Sequence, residues 1–532
     1  MQDWPLAVPQ LLDGMERRFR DRWVSSRDLH GTTRSTFREV AGRVRRLAGV
    51  LDALDVPAGA RVATFGWNTQ RHLELYLAVP STGRVLHTIN HRLPKHQLDY
   101  IVEDAEDDVV FIDRSILEVV WPVLDRSRSL RHIVVMDDGG PGEIPAHDRV
   151  VDYETLMARA KPVDGPFSIQ DDRAAAALCY TSGTTGDPKG VLYDHRSIVL
   201  HALLLLTADA FAISRRDTVM PVVPMFHVNA WGLPYASLMA GANISLPGSR
   251  TDPASLAGQL VDDDVTFAAA VATVWRSMLP HLEGLPDRPR ALRTLVSGGG
   301  GIPPTLSRDY HRVVGIGLTN AWGMTETSPV VTTSSPGTLD GPATASEPEA
   351  LITPGPNLPL TMMRLRRDGE VLMSDDGVIS GELEVAGPTI AAGYFGAAAD
   401  SDRFTEDGWL KTGDIATLDP AGRLRIVDRS KDLIKSGGEW ISSTELESAI
   451  MEHPAVAESA VVGRSDDRWS ERPVACVVLR AGQSTTSAEI QAFLRDRVAT
   501  WWIPEDVLFV EEIPKTATGK FSKLRLKEQL GL

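Results

Sequence analysis

The sequence predicts an α/β fold: a large N-terminal domain of several subdomains on largely parallel sheets, followed by a small α+β domain. Three observations carry this. Short apolar strand-like runs alternate with helical stretches through most of the chain. The texture changes after about residue 377, where alternating, half-exposed strands take over. The chain has 532 residues, which one hydrophobic core does not usually cover, so about three or four core-sized units are expected.

Residues 36–54 have helical spacing, with Val40, Val44, Leu47, Leu51 and Leu54 on one face. Residues 61–65 read as a buried strand and 69–78 as the helix that follows. Short buried strands recur at 109–112, 132–135, 243–246, 266–270 and 295–297. Beyond 377, residues 382–386, 410–417 and 423–428 read as strands, 443–451 as a helix, 457–462 and 474–479 as strands, and 487–498 as a helix. Roughly the last hundred residues suffice for a small separate domain. The charged run after Asp428 is the linker, giving 1–428, a hinge at 429–433, and 434–532. Residues 334–359, rich in Pro, Gly, Thr and Ser, are loop-like.

Composition narrows the function. Fifty-five basic residues against 71 acidic ones give a net charge of −16, which argues against a nucleic-acid-binding surface. Anionic small molecules remain compatible, since a site needs only local positive charge. Two distant cysteines, Cys179 and Cys476, form neither a metal spacing nor a disulfide framework and read as buried thiols in a reducing compartment. No stretch reaches the ~18 apolar residues of a transmembrane segment. The N-terminus lacks a basic-then-apolar signal pattern, so a cytoplasmic location is expected.

The strongest chemical signal is YTSGTTGDPKG at 180–190. It lies between the apolar run 174–178 and the helical stretch 195–206. Glycines let backbone N–H groups turn toward a phosphate, hydroxyls add donors, and Lys189 adds positive charge. The order is not that of a Walker A loop. Five more blocks follow: PMFHVNAW at 224–231, NAWGMTET at 320–327, KTGD at 411–414 with DRSKD at 428–432, KSGGEWIS at 435–442, and PKTATGK at 514–520. Four consecutive glycines stand at 298–301. Taken singly, several have plainer readings: an apolar stretch with one His is usually core, a Glu beside Thr usually a cap, and DRSKD a solvated linker.

Together and in this order, the blocks resemble the adenylate-forming superfamily of acyl-CoA synthetases, luciferases and peptide-synthetase adenylation domains. The resemblance covers essentially the whole chain. Gly-Glu-Trp-Ile-Ser at 438–442 brings it nearest to medium- and long-chain fatty-acid–CoA ligases and methylmercaptopropionate–CoA ligases. It implies a mobile C-terminal lid, ATP and Mg²⁺, and coenzyme A as co-substrate. Thr181, Ser182, Gly183, Thr184, Thr185, Gly186 and Lys189 would wrap the phosphates, with Thr181 and Glu326 holding the metal. Asn320 and Ala321 would lie along adenine, Thr325 near the adenylate phosphate, with Gly300 and Trp322 in the same nucleotide site. Asp414 would accept from both ribose hydroxyls, a fit of paired oxygens to a vicinal diol, and Arg429 would face the ribose.

His227 would sit where the carboxylate and the CoA sulfur meet. Val228, Gly298, Gly299 and Gly323 would line the acyl group, and Trp231 would gate its tunnel. If the segment after His227 is helical, His227 and Trp231 stack on one face. The run Gly298 to Gly301 departs from the Gly-Gly-Ser-Ala common in relatives and offers little bulk beside the acyl group. Lys435 and Trp440 would contact the adenylate. Ser436, Gly437 and Gly438 would line the pantetheine channel after rotation about Lys431. Lys520 would bridge carboxylate and α-phosphate in the first half-reaction only.

The resulting expectation is an ATP-dependent acid–thiol ligase for a small-molecule carboxylic acid, aliphatic and of medium or long chain by the analogy of Trp231 and Trp440, with a methylmercaptopropionate-type acid as the close runner-up and a homodimer compatible with the resemblance. Rival readings are an acyl-AMP ligase feeding a carrier protein and a non-enzymatic ATP- or lipid-binding regulator.

Overall fold

A computed structural model describes residues 1–181, 187–336, 349–372, 376–396, 401–436, 439–516 and 520–532. Two large, mostly parallel sheets build the N-terminal part. The eight-stranded sheet runs, from one edge to the other, Val330–Thr333, Leu318–Gly323, Thr294–Gly298, Phe267–Ala270, Thr218–Pro221, Asn243–Leu246, Trp23–Arg27, Thr32–Thr36. Only its two edge strands are antiparallel to their neighbours. The seven-stranded sheet runs Val150–Asp152, His132–Met136, Val109–Asp113, Arg61–Phe65, Val85–Thr88, Ala175–Tyr180, Gly190–Asp194, with only the last pair antiparallel. Its inner strands are buried on both faces, which is why they read as unbroken apolar runs.

One buried cluster draws on both sheets and on the helices Phe37–Ala53, Gln70–Ser81 and His195–Leu205. The helix Phe37–Ala53 starts where expected because Thr36 caps it. The Thr36 hydroxyl accepts from Glu39 N at 3.2 Å, and Glu39 Oε2 accepts from Thr36 N at 2.7 Å. The helix read as 69–78 is Gln70–Ser81, which carries Pro80 in its last turn.

After residue 360 an antiparallel sheet takes over, ordered Glu370–Val371, Met362–Arg367, Gly381–Ala386, Leu410–Leu418, Leu424–Arg429. A last sheet, ordered Glu439–Ile441, Ile434–Ser436, Ser470–Leu479, Val456–Asp466, pairs Ser470–Leu479 also with the parallel strand Asp506–Phe509. It packs with the helices Ser443–Met451 and Ser487–Leu494 around its own core of Ile434, Leu446, Val461 and Val477. The second of these helices ends before the expected 498. Leu494 O accepts from both Arg497 N and Val498 N, a turn that lets Val498 and Trp502 pack onto the same core. The C-terminal unit is therefore α+β, as its alternating strands imply.

Among the described residues, no helix is long and apolar enough to cross a membrane. Both cysteines are buried and unpaired.

Candidate active site

Three of the motif segments lie at the end of a parallel strand. Ala175–Tyr180 runs into Thr181, Thr294–Gly298 into Gly299, and Leu318–Gly323 into Thr325 and Glu326. In open α/β sheets such loops collect at the carboxyl ends of the strands, the usual ligand crevice. Gly298 and Ala321 are register partners on adjacent strands, which brings the glycine run beside the NAWG block.

The glycine run is a meeting place. A Cβ on Gly298 would stand 2.8 Å from Trp231 Cη2 and 2.9 Å from Ala321 O. One on Gly299, whose φ is +79°, would stand 2.6 Å from Lys520 Cε. One on Gly301 would touch Thr444 Cγ2 at 3.9 Å. The space left by the missing side chains is thus taken by the Trp231 indole and by two side chains from the C-terminal unit.

Lys520 arrives among charged groups. Burial, with Arg429 beside it, lowers its ammonium to about 8, and Asp414 pulls the other way. Asp414 and Arg429 face each other across neighbouring strands, with Arg429 Nε 2.5 Å from Asp414 Oδ1. Trp322 Nε1 donates to Asp414 Oδ2 at 3.0 Å. Burial pushes the Asp414 carboxyl up, against the pull of Arg429, Trp322 and Lys520. His227 is held near 3 by burial and by Lys520, so its ring is neutral at physiological pH. Two strands, one loop and the C-terminal unit thereby bring His227, Lys520, Asp414 and Arg429 together.

Glu326 is buried, and its Oε1 accepts from Tyr394 Oη at 2.7 Å. Lys189 Nζ lies 5.3 Å from the centroid of the Tyr394 ring, so this tyrosine joins Glu326 to the lysine of the 180–190 block. Lys189 N donates to Thr181 Oγ1 at 3.2 Å, and Thr181 N to Lys189 O at 2.9 Å, which closes the neck of the loop. Ser182, Gly183, Thr184, Thr185 and Gly186 lie outside the described residues, as do Gly437 and Gly438. Tyr193 Oη donates to Thr325 O at 2.6 Å and fixes the start of the acidic block. Asn320 Nδ2 donates to Ile352 O at 2.6 Å. A Cβ on Gly323 would collide with Pro329 O at 1.9 Å, so only glycine fits there. Gly300 has nothing within 4 Å of its Cβ position and borders open space.

The segment after His227 departs from expectation. Val228, Asn229, Ala230 and Trp231 have φ of 46°, 50°, 49° and 57°, followed by Gly232 at 72°. This is a left-handed turn, so His227 and Trp231 do not share the face of a right-handed helix. Such backbone costs ~1–2 kcal/mol per non-glycine residue, and burial of all four side chains must hold it. Lys435 and Trp440 pair across a hairpin, Nζ 4.7 Å from the indole centroid. Trp440 is 46% exposed, and among the described residues no hydrogen bond or ion pair joins either to Asp414, Arg429 or Lys520. Ser436 accepts from Arg472 Nη1 at 3.0 Å within the C-terminal unit.

Sequence reasoning missed Tyr394 and Tyr193. The signal for Tyr394 was GYFG at 393–396, an aromatic pair between glycines in a loop, out of place on a purely solvated surface. Tyr193, in an ordinary strand, carried none.

The chain is 43% identical to a long-chain-fatty-acid–CoA ligase of Thermus thermophilus over 99% of this chain and 96% of the relative. It is 40% identical to a 3-methylmercaptopropionyl-CoA ligase of Ruegeria pomeroyi, covering 99% of this chain and 97% of that one. The fold matches an anthranilate–CoA ligase solved with anthranoyl-AMP at a TM-score of 0.87 and 23% identity, covering 100% and 99% of the two chains. The AMP-binding enzyme C-terminal domain family matches residues 445–520, and the AMP-binding enzyme family matches 15–395. With the site at the strand ends and the C-terminal lysine delivered to it, the chain belongs to the AMP-binding enzymes.

Proposed function

We propose that this AMP-forming acid–thiol ligase activates an aliphatic, medium- or long-chain carboxylic acid. The acid's carboxylate oxygen attacks the α-phosphorus of ATP, giving acyl-AMP and pyrophosphate. The CoA sulfur then attacks the acyl carbon, giving acyl-CoA and AMP. The observation that carries the reading is Lys520, seated on Gly299 between His227 and the Asp414–Arg429 pair.

A cation there meets the negative charge that builds on the transferring oxygens, which is transition-state electrostatics. A carboxylate is already ionised at neutral pH, so the first step needs no general base. Neutral His227 acts by hydrogen bonding to a carboxylate oxygen where the acid and the CoA sulfur meet, not by charge. Asp414 holds the ribose, releasing part of its present bonding to Arg429 and Trp322, while Asn320 and Ala321 lie along adenine. Thr181 and Glu326 offer hard oxygen donors, and among the described residues Glu326 commits one carboxylate oxygen, Oε1, to Tyr394. They would hold Mg²⁺, which when bound neutralises the phosphate oxygens. For the second step the unit 434–532 turns about Lys431, withdrawing Lys520 and bringing Lys435, Ser436 and Trp440 toward the site. A cytoplasmic location and a homodimer complete the proposal.

A shorter acid of the methylmercaptopropionate kind is the second reading. Beyond the Trp231 turn lies a cavity of about 10 Å³, lined by Tyr193, Ile198, His201, Asn229, Gly232, Tyr235 and Ser328. That is room for about one water, and its lining is polar and apolar in similar measure. Pyrophosphate release across acids of graded length, with and without CoA, tests both readings. No acid-dependent pyrophosphate rejects the adenylation; adenylate without free acyl-CoA makes the protein an acyl-AMP ligase instead.

A further inference from the structure

Asp428 ends the strand Leu424–Arg429, just before the hinge, and is 1% exposed. The two reaction steps make no direct use of its carboxylate. Its Oδ2 accepts from Ser443 N and Ser443 Oγ, both at 2.6 Å, and its Oδ1 from Thr444 Oγ1 at 3.3 Å. One residue back, Val427 O accepts from Ser442 Oγ at 2.6 Å. Every one of these donors lies beyond the hinge, at the start of the helix Ser443–Met451.

The chain of contacts continues toward the chemistry. Ser443 Oγ accepts from Lys523 Nζ at 2.5 Å, and the same ammonium pairs with Glu447 Oε1 at 2.8 Å. Lys523 stands three residues after Lys520. Thr444 meanwhile touches the Gly301 position, beside the Gly299 seat of Lys520.

We propose that Asp428 is a positioning residue for the first half-reaction, a latch that holds the lid, through Ser443 and Lys523, in the orientation that delivers Lys520. The proposal rests on the two-step reading above. Asp428 and Val427 precede Lys431, while Ser442, Ser443 and Thr444 follow it, so rotation about Lys431 breaks all four bonds together. Hydrogen bonds to an ionised carboxylate are short and strong, and a carboxylate at a helix N-terminus gains further from the helix dipole. The latch therefore weights the lid toward the adenylating orientation. An asparagine at 428 keeps the size but loses the charge. It also turns either an NH₂ group or its single oxygen toward two donors that both need an acceptor.

The test uses the full chain and separates the half-reactions: acid-dependent pyrophosphate release without CoA, and acyl-CoA formation from supplied acyl-adenylate. In Asp428→Asn the first should fall about tenfold to thirtyfold, the size of one lost charge-assisted bond. The second should stay within about twofold of wild type or rise. Ser443→Ala, which leaves the carboxylate intact and is the milder change, should move the ratio the same way by about threefold to tenfold. Trypsin should also cut at Lys431 or Lys435 faster in both variants. Equal loss of both half-reactions, or unchanged rates and cleavage, overturns the latch; if Asp428→Asn does not fold, Ser443→Ala decides. Wild type that makes no acyl-CoA from acyl-adenylate sinks the two-step reading itself, and the latch with it. An active wild type with variants unchanged removes the latch alone.

Discussion

Lys520 occupies the space that a side chain on Gly299 would fill, its Cε 2.6 Å from the Cβ position. The two residues belong to different structural units, and their contact seats the C-terminal unit on the glycine run. Gly299→Ala should push the ammonium out of its seat and also strain a backbone at φ +79°. Adenylation should fall on the order of 10²-fold, the usual cost of a misplaced catalytic group. Thioester formation from supplied acyl-adenylate should change little. If both half-reactions match wild type, the seat is not the working position of Lys520.

Removing the lysine itself is the sharper form. Lys520→Ala should abolish acid-dependent pyrophosphate release yet spare thioester formation from acyl-adenylate. Parallel loss of both steps would falsify a lysine confined to the first.

The same group sets a pH dependence. Burial and Arg429 hold Lys520 at about 8, against an ordinary 10.5. For adenylation, kcat/KM reports the free enzyme and should decline as pH rises through about 8. The sign for stability is opposite. Between about 8 and 10.5 the unfolded chain holds more of this proton than the folded one, so stability from this group rises with pH and its cost is full below 8. Lys520→Met should therefore raise Tm at pH 7 more than at pH 10. A larger gain at pH 10, or a flat kcat/KM from pH 7 to 9, contradicts the assignment.

Glu326, tied to Lys189 through Tyr394, is the metal candidate. Glu326→Gln should raise the Mg²⁺ concentration needed for half-maximal adenylation and slow that step by more than it weakens AMP binding. A Mg²⁺ titration that overlays wild type removes the role.

Trp231 lies 7% exposed on a left-handed turn, its indole against Gly298. As a gate, its removal should let long acids gain on short ones while the fold survives. As packing, Trp231→Ala should cost about 3–5 kcal/mol and lower activity on all acids together. Thermal unfolding beside kcat/KM for a short and a long acid separates the two. An unchanged length preference with a lowered Tm rejects the gate.

The sequence by itself determined the α/β class and, through the resemblance of its ordered blocks, the family; it offered Thr181, Glu326, Asp414 and Lys520 as candidates because each stands in one of those blocks. The helix that begins after Thr36 was legible from the apolar spacing of Val40, Val44, Leu47 and Leu51, whereas its capping by Thr36 and Glu39 was read from the structure. The tertiary structure alone decided the rest. His227 and Trp231 lost their expected helical stacking because buried neighbours hold 228–231 left-handed, against local preference. Tyr394 reached Glu326 and Lys189 only when two distant loops met over the strand ends. Asp428 was indistinguishable from a solvated linker charge until the fold laid Ser443 and Thr444 against it. Contacts between residues far apart in the chain depend on how sheets and units pack, and no local pattern of side chains encodes that.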